Sequence, residues 1–100
     1  MIDLTLIVGF DWDAGNERKS IDKHSVSQQE AEQVFQDASV LILVDQLHSQ
    51  EEERFQAYGS TLDGRRLHVS FTMRHNRTVI RVISARDMSR KERARYEEEA

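Results

Sequence analysis

One hundred residues, 38% hydrophobic and 32% charged, fit a single domain over residues 1–100 with a small core, burying about two-thirds of the surface its unfolded chain exposes. The absence of cysteine excludes disulfides and thiolate metal sites and suits a reducing, cytoplasmic compartment. The formal charge of −4 hides a division, with four basic and thirteen acidic side chains in residues 1–64 against ten basic, nine of them arginine, and five acidic in residues 65–100.

Residues 2–8 (IDLTLIV) alternate as a strand, with Leu4, Leu6 and Val8 on one side. This run lacks the basic start of a signal peptide, and no stretch of the chain is suited to span a bilayer. Phe10 and Trp12 then alternate on one face, and Asp13 is a natural N-cap. The spacing predicts a helix over about Ala14–Lys23. Asn16, Lys19, Ser20 and Lys23 share one face of it, wholly polar, either solvated or turned toward something anionic. Ile21 is its only large apolar residue, and Trp12 is expected to pack beneath it. Ser27 and Glu30 form a capping box for a second helix, whose apolar stripe is Ala31, Val34 and Phe35 and which stops near Gln36–Ala38.

Val40–Val44 is a continuous apolar run, expected as a central strand buried on both faces. The acidic stretch Asp45–Glu53 reads as a loop. Arg54–Thr61 alternates, Asp63-Gly64 is a hairpin turn, and Arg66–Arg74 sets Leu67, Val69, Phe71 and Met73 against Arg66, His68, Ser70, Thr72 and Arg74. After a tight turn at His75-Asn76, Thr78–Ala85 places Val79, Arg81, Ile83 and Ala85 together, opposite Ile80 and Val82. Ser89 and Glu92 make a second capping box, opening a last helix over about Arg90–Glu98 with almost no apolar face. The expected fold class is α+β: an antiparallel sheet of about four strands, with two N-terminal helices and one C-terminal helix.

The four histidines are scattered without metal-ligand spacing, and no Walker loop, Rossmann glycine pattern or nucleophile elbow occurs. No metal and no cofactor is called for, which leaves metal-free acid–base chemistry. Arginine's planar fork suits phosphate and acidic partners alike, so the C-terminal third can meet a polyanion although the whole chain is acidic.

Four blocks in order resemble the BrnT family, the ribonuclease toxins of bacterial toxin–antitoxin pairs: Phe10–Val26 (FDWDAGNERKSIDKHSV), Ser27–Phe35 (SQQEAEQVF), His48–Phe55 (HSQEEERF) and Arg81–Tyr96 (RVISARDMSRKERARY). The resemblance covers roughly residues 10–97. It departs at Ser20, where the family often has Asn. It implies a RelE-like fold, endonucleolytic cleavage of RNA, arrest of translation, and inhibition by a BrnA-type antitoxin that also binds DNA, so that contact with DNA is only indirect.

Cleaving RNA without a metal requires a base for the 2′-hydroxyl, an acid for the leaving 5′-oxygen and cations on the phosphate. The candidate catalytic residues are Arg81, His24 and Glu53, and those for RNA or phosphate binding are Lys19, Lys23, Arg86, Arg90 and Tyr96. Each has a plainer reading beside it. Arg81 can be a structural ion pair, His24 a helix-terminal cap, Glu53 one of a solvated charge run, and Tyr96 the anchor of the last helix. The competing function is a non-catalytic module of the same fold that binds an antitoxin-like protein or RNA without cutting.

Overall fold

Alternating apolar positions on three long strands set the architecture. The computed structural model describes residues 2–49 and 51–99. Strands β1 (Gly9–Trp12), β2 (Leu41–Val44), β3 (Arg54–Ser60), β4 (Arg66–Arg74) and β5 (Val79–Asp87) form one sheet in the order β1-β5-β4-β3-β2. Helices α1 (Ala14–His24), α2 (Gln28–Gln33) and α3 (Arg90–Glu99) complete the α+β fold. β1 runs parallel to β5, and the other pairs are antiparallel. The sheet is therefore five-stranded and mixed, not the four-stranded antiparallel sheet expected.

Two early expectations change. Leu4–Leu6 is a 3-10 turn, because the Asp3 carboxylate accepts the Thr5 N–H at 3.0 Å and draws the chain away from extended pairing. Pairing begins later, at Gly9. The run Leu41–Val44 lies at the sheet edge, with β3 as its one partner, and Val44 is 50% exposed. A short apolar run reads the same at a half-covered edge as at a buried centre.

One face of the sheet holds the core. Phe55, Ala57, Leu67, Val69, Phe71, Ile80, Val82 and Ala85 are buried there beneath Val26, Ala31 and Val34. Phe71 joins the layers, stacking on Phe55 at 5.4 Å and meeting Phe35 edge-on at 5.0 Å. Val34 sits against Gly59, where a Cβ would come within 2.9 Å of its Cγ1. On β5 a bulge intervenes: Ser70 pairs with Ser84 and Phe71 with Val82, leaving Ile83 as an extra residue. It inverts the alternation beyond it, so Ala85 joins the core instead of sharing a face with Arg81. The hairpin between β4 and β5 is wider than a two-residue turn, with His75, Asn76 and Arg77 all left-handed.

Helix α1 starts on Asp13, whose carboxylate accepts the Gly15 N–H at 2.8 Å, and ends on left-handed Ser25. It docks along the edge of β5 beyond β1. Ser20 is 2% exposed and its Oγ accepts the Ala85 N–H at 3.2 Å, while Ile21 is 45% exposed. The polar face is thus partly a docking face. Trp12 packs against the core and donates its indole N–H to Glu32 at 2.9 Å. Both expected capping boxes form, Ser27 with Glu30 and Ser89 with Glu92. Arg65 ties the lower corner, donating to the carbonyls of His24 and Ser25 and to the Asp87 carboxylate at 2.8–3.0 Å.

Candidate functional site

The second face of the sheet is polar, and register arranges it in rows. Asp11 lies beside Arg81, Arg81 opposite Thr72, and Thr72 opposite Arg54, so one row crosses four strands. A second row sets Arg86, His68, Tyr58 and Leu41 side by side. Helix α3 covers the lower part of this face. Tyr96 is 6% exposed, its hydroxyl donating to Asp37 and lying 3.2 Å from Ser60 Oγ.

Arg81 is half-buried in the open part of the face. Its guanidinium lies 3.9 Å from Asp11 Oδ2 and 3.6 Å from Asp13 Oδ2, too long for tight hydrogen bonds. The two carboxylates hold it in place and leave donors free for an incoming anion. Next to it, Thr72 Oγ1 and Arg54 Nε are buried without a hydrogen-bond partner among the described residues. Arg74 on the same strand face is engaged by Glu52.

A hydrogen-bond chain runs along the same face. Ser70 Oγ donates to Gln56 Oε1 at 2.6 Å, and His68 bonds the same oxygen. Gln56 Nε2 donates to Asp45 Oδ2 at 2.6 Å, and His48 Nδ1 lies 2.9 Å from that oxygen. Burial pushes the Asp45 carboxyl up, but the bonds from His48 and Gln56 outweigh it and leave it below the usual range. His68 stacks on Tyr58 at 4.8 Å. Burial, then the Arg86 charge, pushes its imidazole down to about 4, so it is neutral near pH 7. Arg86 is locked in a two-pronged pair with Glu92 at 2.8 and 2.9 Å, which holds that carboxyl down to about 2.

The fold does not gather every residue singled out from the sequence. Arg81, Arg86 and Tyr96 all lie on the polar face, Arg81 in its open part and Arg86 and Tyr96 where α3 packs, engaged by Glu92 and Asp37, and Arg90 is exposed at the start of α3. His24 lies by the lower corner, its carbonyl on Arg65, which also holds Asp87. Asp87 is about 20 Å along β5 from Arg81. Glu53 accepts from Arg77 at 2.8 Å, and Arg77 lies over Phe55, on the core side of the hairpin tip. Lys19 and Lys23 are exposed on α1.

Asp11, Asp13, Arg54, Thr72 and the His48–Asp45 pair were not among the site residues singled out from the sequence. The clean alternation of β4 had already put Thr72 on the polar face; only the register with β3 and β5 sets it between two arginines. Among the described residues no three His, Asp or Glu side chains gather as a metal-holding group, and no helix is long and apolar enough to cross a membrane.

A family model described as the ribonuclease toxin BrnT of type II toxin–antitoxin systems matches residues 12–92. Among solved structures, that of the Brucella abortus ribonuclease toxin BrnT is similar, with 20% identity, a TM-score of 0.60, and coverage of 83% of this chain and 99% of that one. At that identity the likeness shows the fold. No curated protein sequence matches.

Proposed function

The chain belongs to the BrnT family of ribonuclease toxins of type II toxin–antitoxin systems, and from that premise we propose that it is a metal-independent endoribonuclease that blocks translation and is neutralised by a BrnA-type antitoxin. The observation that carries this reading is Arg81, placed on an open polar sheet face between Asp11 and Asp13 with donors to spare.

In the proposed reaction Arg81 holds the scissile phosphate and takes up the negative charge that builds on its oxygens. Asp11, in the same row, takes the 2′-hydroxyl proton. The leaving 5′-oxygen takes its proton from solvent, since His48, its Nδ1 engaged by Asp45 beyond β3, stands across the sheet from Asp11. The positive charge comes from arginine, so no step needs a metal. Glu53, paired with Arg77 at the hairpin tip, takes no part in this scheme. Lys19, Lys23, Arg90 and His24 lie outside the reacting centre and are proposed to steer the RNA strand by charge.

Ser20 does not count toward the non-catalytic reading. Its hydroxyl is spent on the Ala85 N–H, a scaffold contact that a short side chain makes. Toxins of type II systems have an antitoxin partner. We propose that it lays acidic side chains across the Arg81 row and so competes with RNA, and that contact with DNA is through the antitoxin.

The test is incubation of the purified, partner-free protein with total RNA in EDTA, beside Asp11→Asn. Cleavage that survives EDTA and falls about 10²-fold in the variant supports the scheme. Cleavage restored only by added metal refutes metal independence. A silent protein that cuts only with translating ribosomes places the reaction there.

A further inference from the structure

Beside the Arg81 row a cleft of about 390 Å³ opens on the polar face, lined by Leu47, His48, Glu51, Glu52, Arg54 and Thr72. Two of its donors are orphans. Thr72 is 3% exposed and its Oγ1 has no partner among the described residues, nor has the buried Nε of Arg54. They are cross-strand neighbours. A buried polar atom without a partner is costly, and valine would fill the Thr72 position at no such cost. The pair is therefore poised for a ligand.

The rest of the lining says what kind. Glu52 is taken up by Arg74, but Glu51 is exposed, so an anion entering the cleft meets carboxylate as well as guanidinium. Leu47, 82% exposed, offers an apolar flank. Unpaired donors, an exposed carboxylate and an apolar side chain in one lining suit a flat neutral ligand with both acceptors and donors on its edge. Among nucleobases guanine has that edge: O6 and N7 accept, as Arg54 and Thr72 require, while N1–H and the exocyclic amine donate, as Glu51 requires. Adenine carries an amine where O6 would be, opposite the Arg54 donor.

We propose that this cleft is a guanine-reading subsite. Arg54 and Thr72 donate to the O6/N7 edge, and Glu51 accepts from N1 and the exocyclic amine. Because Thr72 also pairs with Arg81, a guanine seated here brings the adjoining phosphate over Arg81. This consequence rests on the ribonuclease reading, so cleavage falls next to guanosine.

The test is an NMR titration of the full chain with 5′-GMP, 5′-AMP, 5′-CMP and 5′-UMP, together with mapping of the ends cut in total RNA. GMP is expected to bind about tenfold tighter than the others and to shift the amides around Leu47 and Thr72, a preference of the size one good base-edge contact gives. Thr72→Val, which removes a hydroxyl without changing shape, and Glu51→Gln, at the surface, each erase that preference. Equal binding of the four nucleotides, or GMP shifts elsewhere, overturns the subsite. RNA cleaved without guanine preference, with equal nucleotide binding, does so while leaving the ribonuclease intact. GMP preference in a protein that cuts no RNA, even with ribosomes, upholds the subsite and removes the nuclease.

Discussion

Replacing Thr72 by valine should make the protein more stable. The residue is 3% exposed on β4, and its hydroxyl finds no partner among the described residues. Valine keeps the β-branched shape a strand favours and exchanges the hydroxyl for a methyl. Removing an unpaired buried hydroxyl should return about 1–2 kcal/mol. For a domain of this length each kcal/mol moves the melting temperature by about 4–8 °C, so a rise of at least 4 °C is expected. Thermal unfolding followed by circular dichroism, with a urea series to check that the m value is unchanged, measures it. Thr61→Val is the control of opposite sign. Thr61 is 7% exposed, but its Oγ1 accepts the Arg65 N–H at 3.0 Å, so its loss should cost about 1 kcal/mol. If Thr72→Val melts at or below the wild-type temperature, the hydroxyl is satisfied in the folded protein, and the reasoning that makes Thr72 a ligand group fails.

Three other outcomes test the fold. Gly59→Ala should cost about 2–3 kcal/mol by urea unfolding, since its Cβ would stand 2.9 Å from Val34 Cγ1 and 3.0 Å from the Val34 carbonyl oxygen. Ser20→Ala should cost about 1–2 kcal/mol in the same assay by orphaning the buried Ala85 N–H. Stability should also fall with pH in two stages. His68, held down to about 4 against 6.5, refuses a proton the unfolded chain accepts, so stability is full above pH 6.5 and declines toward pH 4; Glu92, held down to about 2 against 4.5, keeps its contribution above pH 4.5 and loses it toward pH 2. The urea midpoint against pH reads both stages, and His68→Gln should flatten the upper one.

Local signals carried most of the fold. The caps at Asp13, Ser27 and Ser89 are side-chain-to-backbone events within a few residues, so the sequence contains them whole. The alternation of Arg66–Arg74 is likewise local and reads directly as β4. What escaped depends on partners distant in sequence. The parallel pairing of β1 with β5 joins residues some seventy positions apart, and no periodicity in Gly9–Trp12 announces it. The bulge at Ile83 moves Ala85 to the core through a pairing with β4 that alternation alone does not contain. Leu41–Val44 looked central because a short apolar run does not record that β3 pairs on one side of it and the sheet ends on the other.

The site follows the same rule. Arg81 was legible as an arginine set among apolar neighbours on a strand. Its companions were not, because Asp11, Thr72 and Arg54 join it only through register across four strands. Likeness of short blocks pointed to His24 and Glu53, yet proximity in the chain to lysine or arginine says little about which end or face of the sheet a side chain occupies. Glu53 precedes Arg54 by one residue, and strand alternation sends the two to opposite sides.

The proposed cleavage of RNA stands or falls on the open sheet face around Arg81. Its most direct test compares the partner-free protein with Arg81→Ala on the same RNA in EDTA, and with translating ribosomes if the wild type is silent alone, after circular dichroism has shown both to be folded. Cleavage by the wild type and a loss of about 10²-fold or more in the variant are expected, the usual cost of one transition-state charge contact. Equal rates for the two proteins would contradict the proposal and move the reaction to another part of the molecule.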